Sequence, residues 1–339
     1  VEVNSRRPTL QDVADLAGVS RALVSIVIRD VPGASDATRV RVKAAADELG
    51  YRPDNAARLL RQHRSRLIGV SYVAAQTFHA ELLDEIYDAA ERLRYDVVLS
   101  AVSDRRPGSR AVRTLLDDRC EAILLLGSQA PESEIVDLAA KVPVVVLARK
   151  MPSVHVDVVR TDDEAGAVMA VNHLVGLGHR SIVHVDGGRG PGAQERRQGY
   201  RKAMRAAGLE SRILPGGLTE EFGADAARSM VEQGIPGAVF AFNDRCALGV
   251  LDVFLRAGVS VPGDVSVIGF DNSALAGLAH IDLTSVGQDT AFLGGAAVER
   301  ISERLDAGSG LLGRDIVAQP QLVVRGSTGL VGRWPGVST

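Results

Sequence analysis

The chain has 339 residues, 46% of them hydrophobic and 24% charged. That is the balance of a globular protein of two or three domains, not of a disordered or fibrous chain, and the longest apolar runs, over 122–126 and 142–148, are strand-length, too short for a membrane helix. The net charge of -3 conceals an asymmetry, because residues 1–66 carry 12 Lys and Arg against 8 Asp and Glu while the remainder carries 27 against 34, which sets a basic head, of the kind that binds polyanions, before an acidic body.

No apolar leader precedes the first patterned segment, so the cytoplasm is the expected compartment. Cys120 and Cys246 lack metal or redox spacing and read as buried thiols.

In the head, Thr9 stands three residues ahead of Asp12, and Leu10, Val13, Ala14 and Ala17 recur at helical spacing, which predicts a capped helix ending at Ala17. Gly18 permits a tight turn, and Ser20 caps a second helix over 21–28. Small Ala14 and Gly18 allow the helices to cross closely. Val13, Ala17, Val19, Val24 and Val27 share a core. A plain αα-hairpin would need the same residues, but a second helix that opens on Arg21 and Ala22 suits the major groove, where arginine can pair with guanine and alanine can touch a thymine methyl. Ser20, Ser25 and Arg29 would then meet phosphates. A third helix runs from the cap Ser35 to Leu49 and stops at Gly50. After Pro53, residues 54–61 are helix formers, but the stretch is too short to be stable alone, so its order should require a partner.

Past Arg66 the pattern is βαβ: strands over 67–73, 96–101, 122–126 and 144–147, with helices over 80–93, 109–116 and 132–140 between them. A second series begins at Asp162, with strands over 181–185, 238–241 and 265–269 and helices over 165–177, 196–207, 223–232 and 244–257. A last helix over 290–305 and a strand over 316–324 complete two doubly wound, parallel-sheet domains. Ligands of such sheets bind beyond the carboxyl ends of strands, where the chain places Gln76, Phe78, Arg149, Asn243, Asp244, Asp271 and Gln288. These side chains suit the hydroxyls of a sugar-like molecule. Asp244 and Asp271 could equally cap the next helix or turn, Arg149 could be a surface charge, and Phe78 could be core.

Gly188 to Ala193 formally fits a dinucleotide loop, but Pro191 removes a donor and no ribose-binding acid stands at the needed distance. No nucleophile elbow, Walker lysine or carboxylate pair is present, so neither an enzyme nor a cofactor is expected. His79, His173, His179, His184 and His280 show no spacing for metal or acid/base work and read as structural.

The ordered segments TLQDVADLAGVS, ATRVRVKAAADELGYRPDNAARLL, NDRCALG, VPGDVSVIGFD and LVVRGST resemble the LacI/GalR family of bacterial transcriptional repressors, over roughly 9–328. The resemblance implies an all-α helix-turn-helix headpiece over 1–52, a hinge helix and linker over 53–66, and a periplasmic-binding-protein-like core. The core's N-subdomain would take 67–160 and 290–320, its C-subdomain 161–289 and 321–339, with an effector cleft between them. It also implies a ligand-responsive regulator, controlled by an inducer or, alternatively, a corepressor. Its partners would be double-stranded DNA with a pseudo-palindromic operator, a small sugar-like effector and a second copy of the chain. A free-standing sugar-binding protein would share the core but not the head.

By the resemblance, the DNA contacts include Thr9, Ser35, Thr38, Tyr51 and Ala57, and Leu60 is the residue driven into the minor groove. Asp271 and the Arg196 of Arg196-Arg197-Gln198-Gly199-Tyr200 contact the effector, while Leu218 stands where several relatives place a stacking aromatic. Ile26 departs from the polar or basic residue common at its position. Glycine-rich residues 326–339 offer no heptad helix, so the expected assembly is a dimer.

Overall fold

The computed structural model describes residues 8–28, 30–51, 64–152, 154–307 and 311–331. They fall into two compact units, 1–65 and 66–339.

The first unit holds α1 (Leu10–Ala17), α2 (Arg21–Ile28) and α3 (Asp36–Leu49). Thr9 caps α1 as predicted: its Oγ1 accepts from the Asp12 amide at 3.3 Å and the Asp12 carboxylate accepts from the Thr9 amide at 2.6 Å. These bonds satisfy two donors that a helix start otherwise leaves open. Gly18 ends the helix at φ 61°, and its amide reaches back to the carbonyls of Ala14 and Asp15. Val13, Ala17, Val24 and Val27 form the core as expected, joined by Ala14 and closed by Val42, Ala45 and Ala46 of α3, while Val19 is only half-buried against it.

The second unit continues with β1 (Leu67–Val73), α4 (Thr77–Arg92), β2 (Asp96–Val102), α5 (Gly108–Asp117), β3 (Ala122–Leu126), α6 (Glu132–Ala139), β4 (Val144–Leu147) and β5 (Asp157–Thr161). There follow α7 (Asp163–Gly176), β6 (Ile182–Val185), α8 (Ala193–Ala206), β7 (Arg212–Leu214), α9 (Glu220–Gln233), β8 (Ala238–Ala241), α10 (Asp244–Arg256) and β9 (Ser266–Asp271). The unit ends with β10 (Thr284–Gly287), α11 (Thr290–Ala307), β11 (Asp315–Ala318) and β12 (Gln321–Val323).

Two six-stranded sheets result, in the orders β11-β5-β4-β3-β1-β2 and β12-β10-β9-β8-β6-β7. Among the described residues all strand pairs are parallel except β10 with β12. Each sheet reverses its winding once, between β1 and β3 in the first and between β6 and β8 in the second, and this reversal opens a crevice at the strand carboxyl ends. Side chains alternate across the strands. In the first sheet Val70, Leu124 and Val145 pack with α4 and α11, while Ile123, Leu125 and Val146 pack with α5 and α6 on the other face. The chain crosses between the sheets at 161–163, at 288–290 and at 318–321.

A buried ionic knot ties the last helix to the amino ends of β5 and β11. The fully buried Asp157 carboxylate accepts from Arg300 at 2.8 and 3.1 Å, from Arg304, and from the Arg314 amide at 2.8 Å. A buried carboxylate is tolerated only with such full pairing.

Three details depart from the sequence expectations. The strand expected over 316–324 is two strands in different sheets, because Pro320 has no N–H to continue a ladder. β5 and β7 are additions to the expected strands. Helix α4 begins at Thr77, not Ala80, which places Phe78 and His79 in its first turn.

Candidate functional site

Two surfaces carry the residues singled out by the sequence. On the head, Arg21 and Ala22 are exposed in the first turn of α2, and Ser25 is half-buried one turn on. The Ser20 hydroxyl accepts from the Leu23 amide at 3.2 Å, which leaves its own proton for another acceptor. The hydroxyls of Ser35 and Thr38 bond each other at 2.9 Å at the start of α3. Tyr51 packs against the small core. Arg29, Ala57 and Leu60, with all of 52–63, lie outside the described residues.

In the body, one cavity at the strand carboxyl ends is walled by both sheets. Gln76, Phe78, Arg196, Leu218, Asn243, Asp271 and Gln288 line it, joined by His79, Gln129, Asp163, Pro191 and Phe242. Its volume is about 60 Å³, room for a few waters but not for a sugar ring.

Arg196 organises this cleft and is almost wholly buried. Its Nε donates to Asp163 Oδ1 at 2.8 Å, its Nη1 donates to the Phe242 carbonyl at 2.7 Å, and its Nη2 lies 3.7 Å from Asp271 Oδ1. The guanidinium also stacks 3.5 Å from the Phe270 ring centroid, a favourable site for a planar cation. Gly199 explains the motif around it: a Cβ there would stand 2.3 Å from the Glu164 carbonyl oxygen. Only glycine lets α8 approach α7 closely enough for Arg196, one turn earlier, to reach Asp163.

Asp271 ends β9 at φ 105° and Asn272 follows at φ 52°. Such backbone costs on the order of 1–3 kcal/mol for a side-chain-bearing residue and persists only where neighbours enforce it. Here the Asn272 amide donates to Ser285 Oγ at 3.0 Å, and Arg325 donates to Asn272 Oδ1 at 2.6 Å. Gln288 donates to Asp271 at 2.8 Å and accepts from Thr161 at 2.7 Å, so it joins the Asp271 loop to the first sheet. Burial pushes the Asp271 carboxyl up to about 7, against the pull of Arg196, and the neighbouring Asp244 and Asp163 add to the rise.

His79 is buried, and burial lowers its imidazole to about 4. Nδ1 accepts from the Val73 amide at 3.2 Å, which leaves Nε2 to carry the proton as a donor.

Two of the residues expected at the cleft do not line it. Asp244 does not line the cleft. Its carboxylate is buried and accepts from the Ser273 amide at 2.7 Å, the Ser273 hydroxyl at 2.9 Å and the Ser285 hydroxyl at 2.6 Å. It therefore supports the strained Asp271–Asn272 turn through Ser285, and α10 is capped instead by Asn243, whose side chain accepts from the Cys246 amide at 2.9 Å. Arg149 also stays outside. Its Nη1 donates to the Ser128 and Ala130 carbonyls at 2.9 and 2.6 Å, so it braces the loop that presents Gln129.

Asp163, His79, Gln129 and Phe242 join the cleft without a signal in the sequence expectations. Asp163 stands just after β5, and recognition of a strand end there would flag it. His79 reads as structural because a histidine's exposure to a cleft leaves no mark in its spacing.

Among the described residues no helix is long and apolar enough to cross a membrane, and no cluster of His, Cys, Asp and Glu could hold a metal.

Comparison with known proteins agrees with this geometry. Residues 9–54 match the model of the bacterial regulatory proteins of the lacI family, and 171–328 match that of the periplasmic binding protein-like domain. The ribose operon repressor of Escherichia coli is 32% identical over 332 residues, covering 94% of this chain and 99% of that one. The crystal structure of a LacI transcriptional regulator from a Rhodococcus species is 44% identical, covers 78% of this chain and 99% of its own, and superposes with a TM-score of 0.75. The crystal structure of the lac repressor dimer bound to operator and the anti-inducer ONPF is 28% identical, covers 96% and 100%, and has a TM-score of 0.80.

Proposed function

Because the chain belongs to the lacI family of bacterial regulatory proteins and is a DNA-binding transcription regulator, we propose that it is a cytoplasmic, dimeric repressor without enzymatic activity, whose effector is an uncharged sugar. The observation that carries the choice of effector is the charge of the cleft. Among the described residues Arg196 is the only Lys or Arg in the lining, and it is already engaged by Asp163 and the Phe242 carbonyl. That lining leaves no cation over for a phosphate or carboxylate, whose burial would be costly without one. Asp271, Gln288, Asn243, Gln76 and the Nε2 of His79 offer the mixture of acceptors and donors that sugar hydroxyls use. Phe78, Phe242 and Leu218 supply apolar walls for the C–H face of the ring. The similarity to a ribose operon repressor supports the same class.

Sugar entry into so small a cavity requires the two sheets to part about their three crossings. The contacts that would break include the bond from the Ala274 amide to Glu81 at 2.8 Å and that from Arg245 to the Ala75 carbonyl. In a dimer, like the lac repressor bound to its operator, this motion changes the spacing of the two bodies. It thereby sets whether both copies of α2 can engage a pseudo-palindrome and whether the two Leu60 side chains can wedge the minor groove between them. Arg21 and Ala22 are the proposed base contacts, with Ser20, Ser25 and Arg29 on phosphates.

The test is direct. DNA is selected from a random pool by the purified chain, and its affinity is measured against a panel of neutral sugars and the corresponding sugar phosphates. A change in operator affinity with a neutral sugar and none with its phosphate is expected; a response to the phosphates alone would overturn the reading.

A further inference from the structure

We propose a second ligand site in the body, separate from the cleft, for an uncharged two-ring apolar molecule that bears one hydroxyl. A cavity of about 560 Å³ opens between α5 and α6 on the face of the first sheet turned away from α4 and α11. That volume is in the range that encloses a small organic ligand and is well above that of the cleft. Its walls are hydrocarbon, with Val112 and Leu116 from α5 facing Ile135 and Leu138 from α6, over a floor that includes Leu125.

Strand β1 contributes a hydroxyl to the floor. Ser71 of β1 is only 6% exposed, lines the cavity, and has no hydrogen-bond partner for its hydroxyl among the described residues. The hydroxyl faces the cavity, so a ligand oxygen placed against it would bond it in place of the water that otherwise reaches it. At the rim stand Arg113, Glu134, Asp137 and Lys141, two of each sign and none in an ion pair among the described residues. The balance of charge at the mouth disfavours an ion of either sign, and the hydrocarbon walls select a ligand whose bulk is apolar.

The site shares a wall with the cleft, since Val73 and Gln129 line both cavities. Arg149, which ties the Ser128 and Ala130 carbonyls, holds that wall in place. A ligand between α5 and α6 therefore presses on the loop that presents Gln129 to the effector, which is a route by which a second small molecule modulates the response.

The probe is naphthol, titrated calorimetrically into the full chain. Saturable binding at one site is expected, weakened roughly fivefold by Ser71→Ala through loss of one hydrogen bond and weakened further by Val112→Trp, whose ring occupies part of the space between α5 and α6. Naphthalene, lacking the hydroxyl, should match the affinity that naphthol has for Ser71→Ala. Circular dichroism reports folding of each variant; if Val112→Trp does not fold, Ser109→Trp at the mouth takes its place. Absence of saturable binding, or equal affinity for the wild-type chain and the folded tryptophan variant, overturns the proposal, as does an unchanged affinity for Ser71→Ala. Neither Ser71 nor Val112 lines the cleft, so this result and the effector panel fail independently.

Discussion

Arg21 and Arg196 stand in opposite relations to the fold. Arg21 projects from the first turn of α2 into solvent, above a core of valines and alanines that does not include it. Arg196 is 5% exposed, hydrogen-bonded to Asp163 and to the Phe242 carbonyl, and stacked on Phe270. A surface that reads a partner can be exchanged without disturbing what supports it, whereas a cleft that encloses a ligand borrows its chemistry from the groups that hold the domain together. Specificity in the head is thus separable from stability. In the body the two are coupled.

The largest expected effect tests that coupling. Arg196→Ala leaves Asp163 and Asp271 buried beside no cation, and breaking a buried pair in this way costs about 3–5 kcal/mol. Urea denaturation should show a loss of that size, and a loss below about 1 kcal/mol would mean that the cleft, like the head, is independent of its scaffold. Removal of Arg196 is therefore not a clean test of effector contact; Asp271→Asn is milder, because the carboxyl is held near neutrality already.

Arg21→Ala is the counterpart. Stability should stay within about 0.5 kcal/mol of wild type, while affinity for the selected operator falls by about 1–3 kcal/mol and preference relaxes at one base pair per half-site. Uniform weakening on every sequence would make Arg21 a phosphate contact.

The third test uses protons. The Asp271 pKa is raised to about 7 by burial, so the folded chain holds this proton where an unfolded aspartate has lost it. Its contribution to stability is full below the unfolded value, about 4, and is lost as pH rises through 7. Effector binding has the opposite sign, because a sugar hydroxyl donates to the ionised carboxylate. Lowering the pH from about 8 to about 6 should weaken the effector about tenfold, as the ionised fraction falls, and Asp271→Asn should flatten the profile. Operator binding by Arg21, with no titrating neighbour required, should not follow that curve.

The smallest effect belongs to the head's own scaffold. Thr9→Ala removes the acceptor for the Asp12 amide and should cost about 1 kcal/mol, seen as faster amide exchange confined to the first turn of α1, with the cleft unchanged.

The difference between the regions also governs what is legible without coordinates. The capping box of Thr9 and Asp12, the turn at Gly18, the valine and alanine core and the βαβ rhythm can all be read from the chain, because each rests on contacts within one turn or on alternation along one strand. Asp271, Gln288, Asn243 and Phe78 are legible as strand-end residues. The partners of Arg196 are not: Asp163 is 33 residues away and Phe242 46, and nothing local distinguishes Asp163 from the adjacent Asp162, which caps α7 instead. Asp244 has the right chemistry and the right place after β8, yet the serines Ser273 and Ser285 consume its lone pairs. Arg149 points its charge at two carbonyls beside its own sheet. Helix caps, turns and strand faces are decided by neighbours a few residues apart, so the sequence determined them; which carboxylate faces the cleft and which is spent on the fold depends on strands brought together by three crossings, and only the tertiary structure decided it.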